Sequence, residues 1–240
     1  MSIDPLLARA RGLWEELASV SVSFAPTGGV SVVVSPQSRM CPSGWVGVVV
    51  LGNSAIVTVP SEDMTETVRD ALAKLPVGAL AGAHSVRGVL PVARVLGPAA
   101  LAYVSDDRFR PVVACGLTAE QVPGEHPDLR RLENVAGADD SDEAGLAEIT
   151  SPAFVIREGG EVVAAAGYRS WPSRTAHVSV LTAPERRGRG LAQATGSGAV
   201  AHALAGGLLP QWRARVPASR RVALALGFRE LGAQLSVELA

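Results

Sequence analysis

At 240 residues, with 48% hydrophobic and only 19% charged side chains, the chain has room for one large domain or two small ones and is too apolar for wholesale disorder. A formal net charge of −1 argues against a nucleic-acid-binding surface over the whole molecule but not against a local basic site. The two cysteines, Cys41 and Cys115, supply neither a zinc cluster nor a disulfide framework and read as small core residues.

The N-terminus carries Asp4, Glu15 and Glu16 among its apolar residues, which is unlike a secretory signal, and the longest apolar run, residues 45–51, is too short to span a bilayer. A soluble cytoplasmic protein is the expectation. Residues 4–18 place Leu6, Leu7, Ala10, Leu13, Trp14 and Leu17 on one side of a helix, with Trp14 in the core. Residues 20–24 and 30–34 read as strands on either side of the Thr27-Gly28-Gly29 turn. Residues 45–51 and 54–59 flank Gly52-Asn53, a two-residue loop that suits a hairpin. Residues 61–75 read as a helix with Ser61 as N-cap and Pro76 as its stop. Residues 90–104 are apolar with a break at Gly97-Pro98, and Asp106-Asp107-Arg108 is a polar turn. Before position 110 no cluster has catalytic or metal spacing; His84 reads as a surface side chain, and Arg87, Arg94 and Arg108 as solvent-facing.

Between residues 116 and 142 the composition shifts to Pro, Gly and acidic residues, which places a boundary there. The expected division is an N-terminal α+β domain over 1–116, a linker over 117–126 and a second domain over 127–240. In the second domain, residues 127–132 read as a first strand, and Ser141 as the cap of a short helix running to Ile149. Residues 153–157 and 161–168 form a hairpin through Gly159-Gly160. Trp171 and Arg169 follow it, where they would line a pocket unless the Trp is simply buried.

Residues 175–182, rich in β-branched side chains, form the next strand. Pro184 ends it, and Arg187-Gly188-Arg189-Gly190 lets the backbone curl tightly before a helix over residues 191–205. Small residues at 192, 195 or 196, 199 and 203 give that helix a face able to lie close to a sheet. The accompanying Gly196 and Gly198 cost it roughly 1 kcal/mol each against alanine. A strand, a glycine turn and a helix N-terminus leave several N–H groups unpaired and aimed one way, and Arg186, Arg187 and Arg189 add charge there. Such a place suits a di- or triphosphate. A P-loop is disfavoured because no Lys follows the glycines, and a dinucleotide fingerprint by Gln193 at its third small position.

The segment Pro184-Glu185-Arg186-Arg187-Gly188-Arg189-Gly190-Leu191-Ala192 resembles the pyrophosphate loop of the GNAT superfamily of acyl-CoA-dependent N-acetyltransferases, with Arg187, Gly190 and Ala192 in its three defining slots. Residues 219–228, a helix closing in Gly227-Phe228, resemble the second signature of that family. The resemblance covers roughly residues 127–240. It implies an α/β (α+β) protein whose C-terminal part has a mixed, mostly antiparallel sheet flanked by helices. A smaller N-terminal α+β domain stands outside it. It also implies transfer of an acetyl group from acetyl-CoA to a primary amine of a small molecule, amino acid or peptide, with no metal. The implied partners are the acyl-CoA and an amine acceptor, with no nucleic acid and no membrane; a homodimer is allowed.

By the same resemblance, Val180, Leu181 and Thr182 pair with the pantetheine arm, and the backbone N–H of Leu181 polarises the thioester carbonyl. Arg187, Gly188, Arg189, Gly190, Leu191, Ala192 and Gln193 hold the diphosphate. The strand over 208–214 splays away to open the slot. Two family positions differ: an Asn and a Tyr that start the last helix and protonate the thiolate are here Val216 and Ala223. Ser219 is the nearest hydroxyl and stands as acid and as a CoA contact, though a helix-start Ser satisfying backbone is the equal alternative. His177 is the candidate base, with Glu148 and Tyr168 as others, and the sequence leaves open which face of the strand sees the acetyl group. With one short helix between its first two strands, the second domain looks short of acceptor pocket, and the N-terminal domain is expected to lend a wall. A longer acyl donor, or an acyl-CoA-binding sensor without turnover, are the alternatives to an acetyltransferase.

Overall fold

The computed structural model describes residues 4–112 and 119–240. It separates into two compact units: Met1–Leu101 with Ala214–Val216 and Glu230–Ala240, and Ala102–Arg213 with Pro217–Arg229. In chain order the first part contains α1 (Pro5–Leu17), β1 (Gly29–Val34), β2 (Val46–Leu51), β3 (Ser54–Val59), α2 (Thr65–Leu72), α3 (Ala83–Arg87) and β4 (Val92–Tyr103). Then come β5 (Glu120–Val122), α4 (Pro127–Ala136), α5 (Ala138–Ala144), β6 (Ala153–Glu158), β7 (Glu161–Trp171) and β8 (Thr175–Thr182). The chain ends with α6 (Leu191–Ala205), β9 (Leu209–Ala214), α7 (Pro217–Ala225) and β10 (Arg229–Leu239).

In the first unit the strands run in the order β1-β3-β2-β10-β4. β2 and β3 form the expected hairpin, Leu51 opposite Ser54, while β1 lies parallel to β3 from Gly29↔Ser54 to Val34↔Val59. Residues 20–24 are not a strand. The turn at 27–29 therefore leads into β1 rather than joining two antiparallel partners. β10 pairs antiparallel with β2, Ala233 opposite Val50 and Val237 opposite Val46, which is why the last strand groups with the first unit and not with the residues beside it in sequence.

Asp4 accepts the Leu6 N–H at 2.9 Å and Pro5 opens α1, a pre-organised helix start. α1 buries Leu6, Ala10, Leu13, Trp14 and Leu17, and also Arg11, whose guanidinium donates to Leu51 O at 3.1 Å and Ser54 Oγ at 3.2 Å. The predicted helix at 61–75 is a 3-10 turn over Glu62–Met64 followed by α2, and Ser61 makes no side-chain cap. Cys41 is half-buried rather than core, its thiol donating to Trp45 O at 3.2 Å, and burial raises its pKa; Cys115 lies outside the described residues.

In the second unit the order is β9-β8-β7-β6-β5. The neighbours are antiparallel except β8 with β9, so the sheet is mixed and mostly antiparallel, with helices against it. The expected linker contains β5, which pairs with β6 from Glu120↔Val155 to Val122↔Ala153. Residues 127–136 are a helix and not a first strand. Pro127 stands at its first position, His126 Nδ1 accepts the Asp128 N–H at 3.3 Å, and Leu129 and Leu132 lie one turn apart on the buried side. Ser141 lies within α5 and donates to Glu133 O at 2.9 Å; that helix ends at Gly145, before a 3-10 turn at Leu146–Glu148. Two helices and a turn thus separate β5 from β6. The sparse connection that called for a wall from the N-terminal domain does not exist.

The sheet of this unit is covered on both faces. Leu181 and Val155 pack with Leu129, Leu132 and Leu146, while Val180 packs with Phe154 and Ala199 of α6. α6 is buried along most of its length by small side chains. A Cβ on Gly198 would lie 2.7 Å from Phe154 Cδ1, so glycine there sets how closely helix and sheet approach. The packing offsets the cost of glycine in mid-helix.

Candidate active site

β8 is the strand on which the predicted chemistry depends, and its two edges differ. Against β7 it pairs along its whole length without a bulge, from Trp171↔Thr175 to Ala164↔Thr182. Against β9 it pairs in parallel over only three positions, ending at His177↔Gln211. Beyond that pair the β9 side of residues 178–182 has no strand ladder among the described residues.

The Ala183 N–H donates to Val163 O at 2.9 Å, and this bond fixes the parity of the ladder. In an unbroken antiparallel pair alternate residues direct N–H and C=O to the same neighbour. Leu181 therefore exchanges its bonds with Ala165 of β7, and the amides that point to the open edge are those of Val180 and Thr182. The Leu181 amide, expected from the resemblance to polarise the thioester, thus faces β7 and not the open edge. No local signal in the sequence carries this parity, because pairing sets it. The same ladder settles the faces: Leu181 sits with α4 and the turn after α5, Ser179 Oγ donates to Gly145 O at 3.3 Å on that side, and His177 shares it; Val180 faces α6.

At the end of β8 a 3-10 turn, Pro184–Arg186, leads to Gly190, which adopts φ 77° and ψ 3° as the residue before α6. This left-handed conformation favours glycine. It turns the backbone so that the amides of Gly188, Arg189, Gly190, Leu191 and Ala192 donate to no oxygen among the described residues. Gln193, placed with them from the sequence, is different: its N–H closes onto Gly190 O at 3.1 Å. The helix dipole lies behind the five open amides, an arrangement suited to a diphosphate.

The arginines here have carboxylate partners that local sequence did not reveal. Arg187 Nη2 lies 2.5 Å from Asp140 Oδ2 of α5, and its Nε is 3.4 Å from Thr182 O. Arg186 and Arg189 converge on Glu158, at the end of β6. Hydrogen bonding from Arg189 is the main cause holding the Glu158 carboxyl below the usual carboxylate range.

His177, at the point where β8 and β9 part, stacks on Trp171 with ring centroids 4.2 Å apart. Its Nδ1 lies 2.7 Å from Gln211 Oε1, and Gln211 Nε2 approaches the buried Tyr103 hydroxyl at 3.5 Å. With the Gln211 amide donating to Tyr103, its Oε1 is an acceptor, so His177 carries its proton on Nδ1 and a lone pair on Nε2. Desolvation, aided by the positive charge of Arg213, pushes the imidazole down to about 3. Of the other base candidates, Glu148 is paired with Arg169, and the Tyr168 hydroxyl is 3.0 Å from His202 Nδ1 on the α6 side, with burial raising its pKa.

Ser219 Oγ accepts from the indole Nε1 of buried Trp212 at 2.9 Å. Its own proton is not committed by that bond. Val216 is half exposed and Ala223 is buried, so neither family position of the missing Asn and Tyr carries a side-chain acid. Among the described residues no group of three or more His, Cys, Asp and Glu side chains could hold a metal ion, and no helix is long and apolar enough to cross a membrane.

Solved structures similar to this chain include an acetyltransferase of the GNAT family from Novosphingobium aromaticivorans, at 26% identity and TM-score 0.46, covering 61% of this chain and 65% of its own. A GCN5-related N-acetyltransferase from Kribbella flavida is 19% identical with TM-score 0.48, covering 66% of this chain and 63% of its own. A phosphinothricin acetyltransferase from Sinorhizobium meliloti, solved in complex with AcCoA, is 20% identical with TM-score 0.38, covering 51% of this chain and 87% of its own. The chain thus spans just under two thirds of the length of the first two. No curated protein matches it. Comparison with protein families matches residues 151–233, the stretch from β6 through the loop and α7 into β10, to the GNAT acetyltransferase family. This match over residues 151–233 is consistent with membership of the GNAT superfamily.

Proposed function

We propose that the protein moves an acetyl group from acetyl-CoA to a primary amine by direct attack on the thioester. A GNAT acetyltransferase domain implies acyl transfer from an acyl-CoA; the acetyl donor and the amine acceptor are the finer part of the proposal. The observation that supports it most is the pairing of five open amides at Gly188–Ala192 with an open β8 edge at Val180 and Thr182, one suited to a diphosphate and the other to an extended pantetheine arm.

In this reading the Val180 or Thr182 amide polarises the carbonyl and holds the oxyanion. The attacking amine loses one proton and the departing thiolate gains one, for which the Ser219 hydroxyl is the donor we assign. His177 is too weakly basic to draw a proton from a cationic amine near neutral pH, so the acceptor must arrive neutral. For a lysine-type amine this costs about 4–5 kcal/mol at pH 7, and for an α-amino group about 1. The acceptor class favoured is therefore an amine of low basicity, such as an α-amino group.

Thiol release from acetyl-CoA across a panel of α-amino and lysine-type amines tests this. The α-amino acceptors should turn over faster at pH 7, and kcat/KM should rise with pH to a plateau at the pKa of the acceptor. A flat rate between pH 6 and 9 with a lysine-like acceptor would contradict it. The Ser219–Trp212 bond and Ala223 at the Tyr position favour one second reading, an acyl-CoA sensor, for which CoA would bind without thiol release from any amine.

A further inference from the structure

Glu158 occupies the loop as an anion would. Its Oε2 lies 3.0 Å from Arg186 Nε and 3.0 Å from Arg189 Nη1, and its Oε1 lies 2.7 Å from Arg189 Nη2, a forked grip of the kind guanidinium gives to phosphate. None of the three is sequestered: the arginine side chains are 44% and 49% exposed and that of Glu158 is 24% exposed. Two cations share a single carboxylate charge, and the open amides of Gly188–Ala192 already provide for a diphosphate without them. A phosphomonoester carries about −1.5 to −2 at pH 7 and would match the arginine pair better than a carboxylate does.

We propose that Glu158 is a built-in substitute for a phosphomonoester, and that the 3′-phosphate of CoA displaces it from Arg186 and Arg189. Glu158 is then a specificity-determining residue: it holds the pair ordered in the free protein and leaves it to a ligand more highly charged than itself. The proposal rests on the acyl-CoA reading of the loop.

Calorimetric titration of CoA and of 3′-dephospho-CoA into the wild type, Glu158→Gln and the double variant R186Q/R189Q tests it. The wild type should bind CoA more tightly than dephospho-CoA. In Glu158→Gln the ratio of the two dissociation constants should widen by about two- to fivefold, the scale of an exposed ion pair removed as competitor. In R186Q/R189Q the ratio should fall to near one, which keeps the test intact if Glu158→Gln folds poorly by thermal unfolding. An unchanged ratio in Glu158→Gln, or full discrimination without the arginines, overturns the proposal while leaving the acyl-CoA reading in place. Absence of any CoA binding by the wild type removes both.

Discussion

The two halves of β8 share a chain and a partner strand, yet one is closed and the other open. Over residues 175–177 both edges are paired and His177 is answered by Gln211, and Gln211 by Tyr103, while the buried Thr175 hydroxyl has no partner among the described residues. From residue 178 onward only the β7 edge is paired, and the turn that follows leaves five more amides without partners among the described residues. Residues 184–190 are exposed, so their amides meet solvent in the free protein and are accessible to a ligand. We propose that the first half is structural and that the second binds ligand.

The largest effect should come from closing the open half by mutation. Gly190→Val forces a β-branched residue into a left-handed conformation at a cost of about 1–2 kcal/mol and re-aims the amides around it. CoA affinity by calorimetry should fall at least about tenfold. Gly198→Val acts on the scaffold instead, driving a side chain against Phe154. Overpacking of this kind costs about 1–3 kcal/mol, or roughly 2–4 °C of Tm per kcal/mol in a chain of this length.

Ser219→Ala separates two roles. If Ser219 only satisfies the Trp212 indole, Tm falls by the equivalent of about 1 kcal/mol with kcat preserved. If it also donates the proton, as assigned here, kcat falls by more than tenfold in addition, with KM for acetyl-CoA little changed. The smallest effect concerns the closed half. Between pH 6.5 and about 3 the unfolded chain binds a proton at His177 that the folded chain refuses, so stability drops as pH falls through that window. His177→Gln should flatten the part of the slope above about pH 5.5, where even the unfolded chain holds few protons on its carboxylates. Thermal unfolding followed at half-unit pH steps would show it.

The contrast between the halves also explains what the sequence disclosed. The loop was legible because its chemistry is local: a proline, two glycines and three arginines within a few positions need no tertiary contact to read. α6 and β8 begin and end where their composition says they should. What escaped was set by pairing. Which amides of β8 face its open edge follows from the edge β7 occupies, the link from His177 to Gln211 joins residues 34 positions apart, and Glu158 meets Arg189 across 31. The helix at α4 was a different kind of miss, since Pro127, Asp128 and the Leu129/Leu132 spacing were all present and a helical period outweighed the strand reading. Val20 to Phe24 is not a strand, and β1 pairs in parallel with β3 rather than with it.

Amide hydrogen exchange read residue by residue by NMR, with and without saturating CoA, tests the central claim most directly. The account predicts that Gly188, Arg189, Gly190, Leu191 and Ala192 exchange freely in the unliganded protein and slow by at least about tenfold when CoA binds, while Gln193 and Leu181, already paired, change less. CoA binding that leaves those five amides exchanging at their original rate would contradict it.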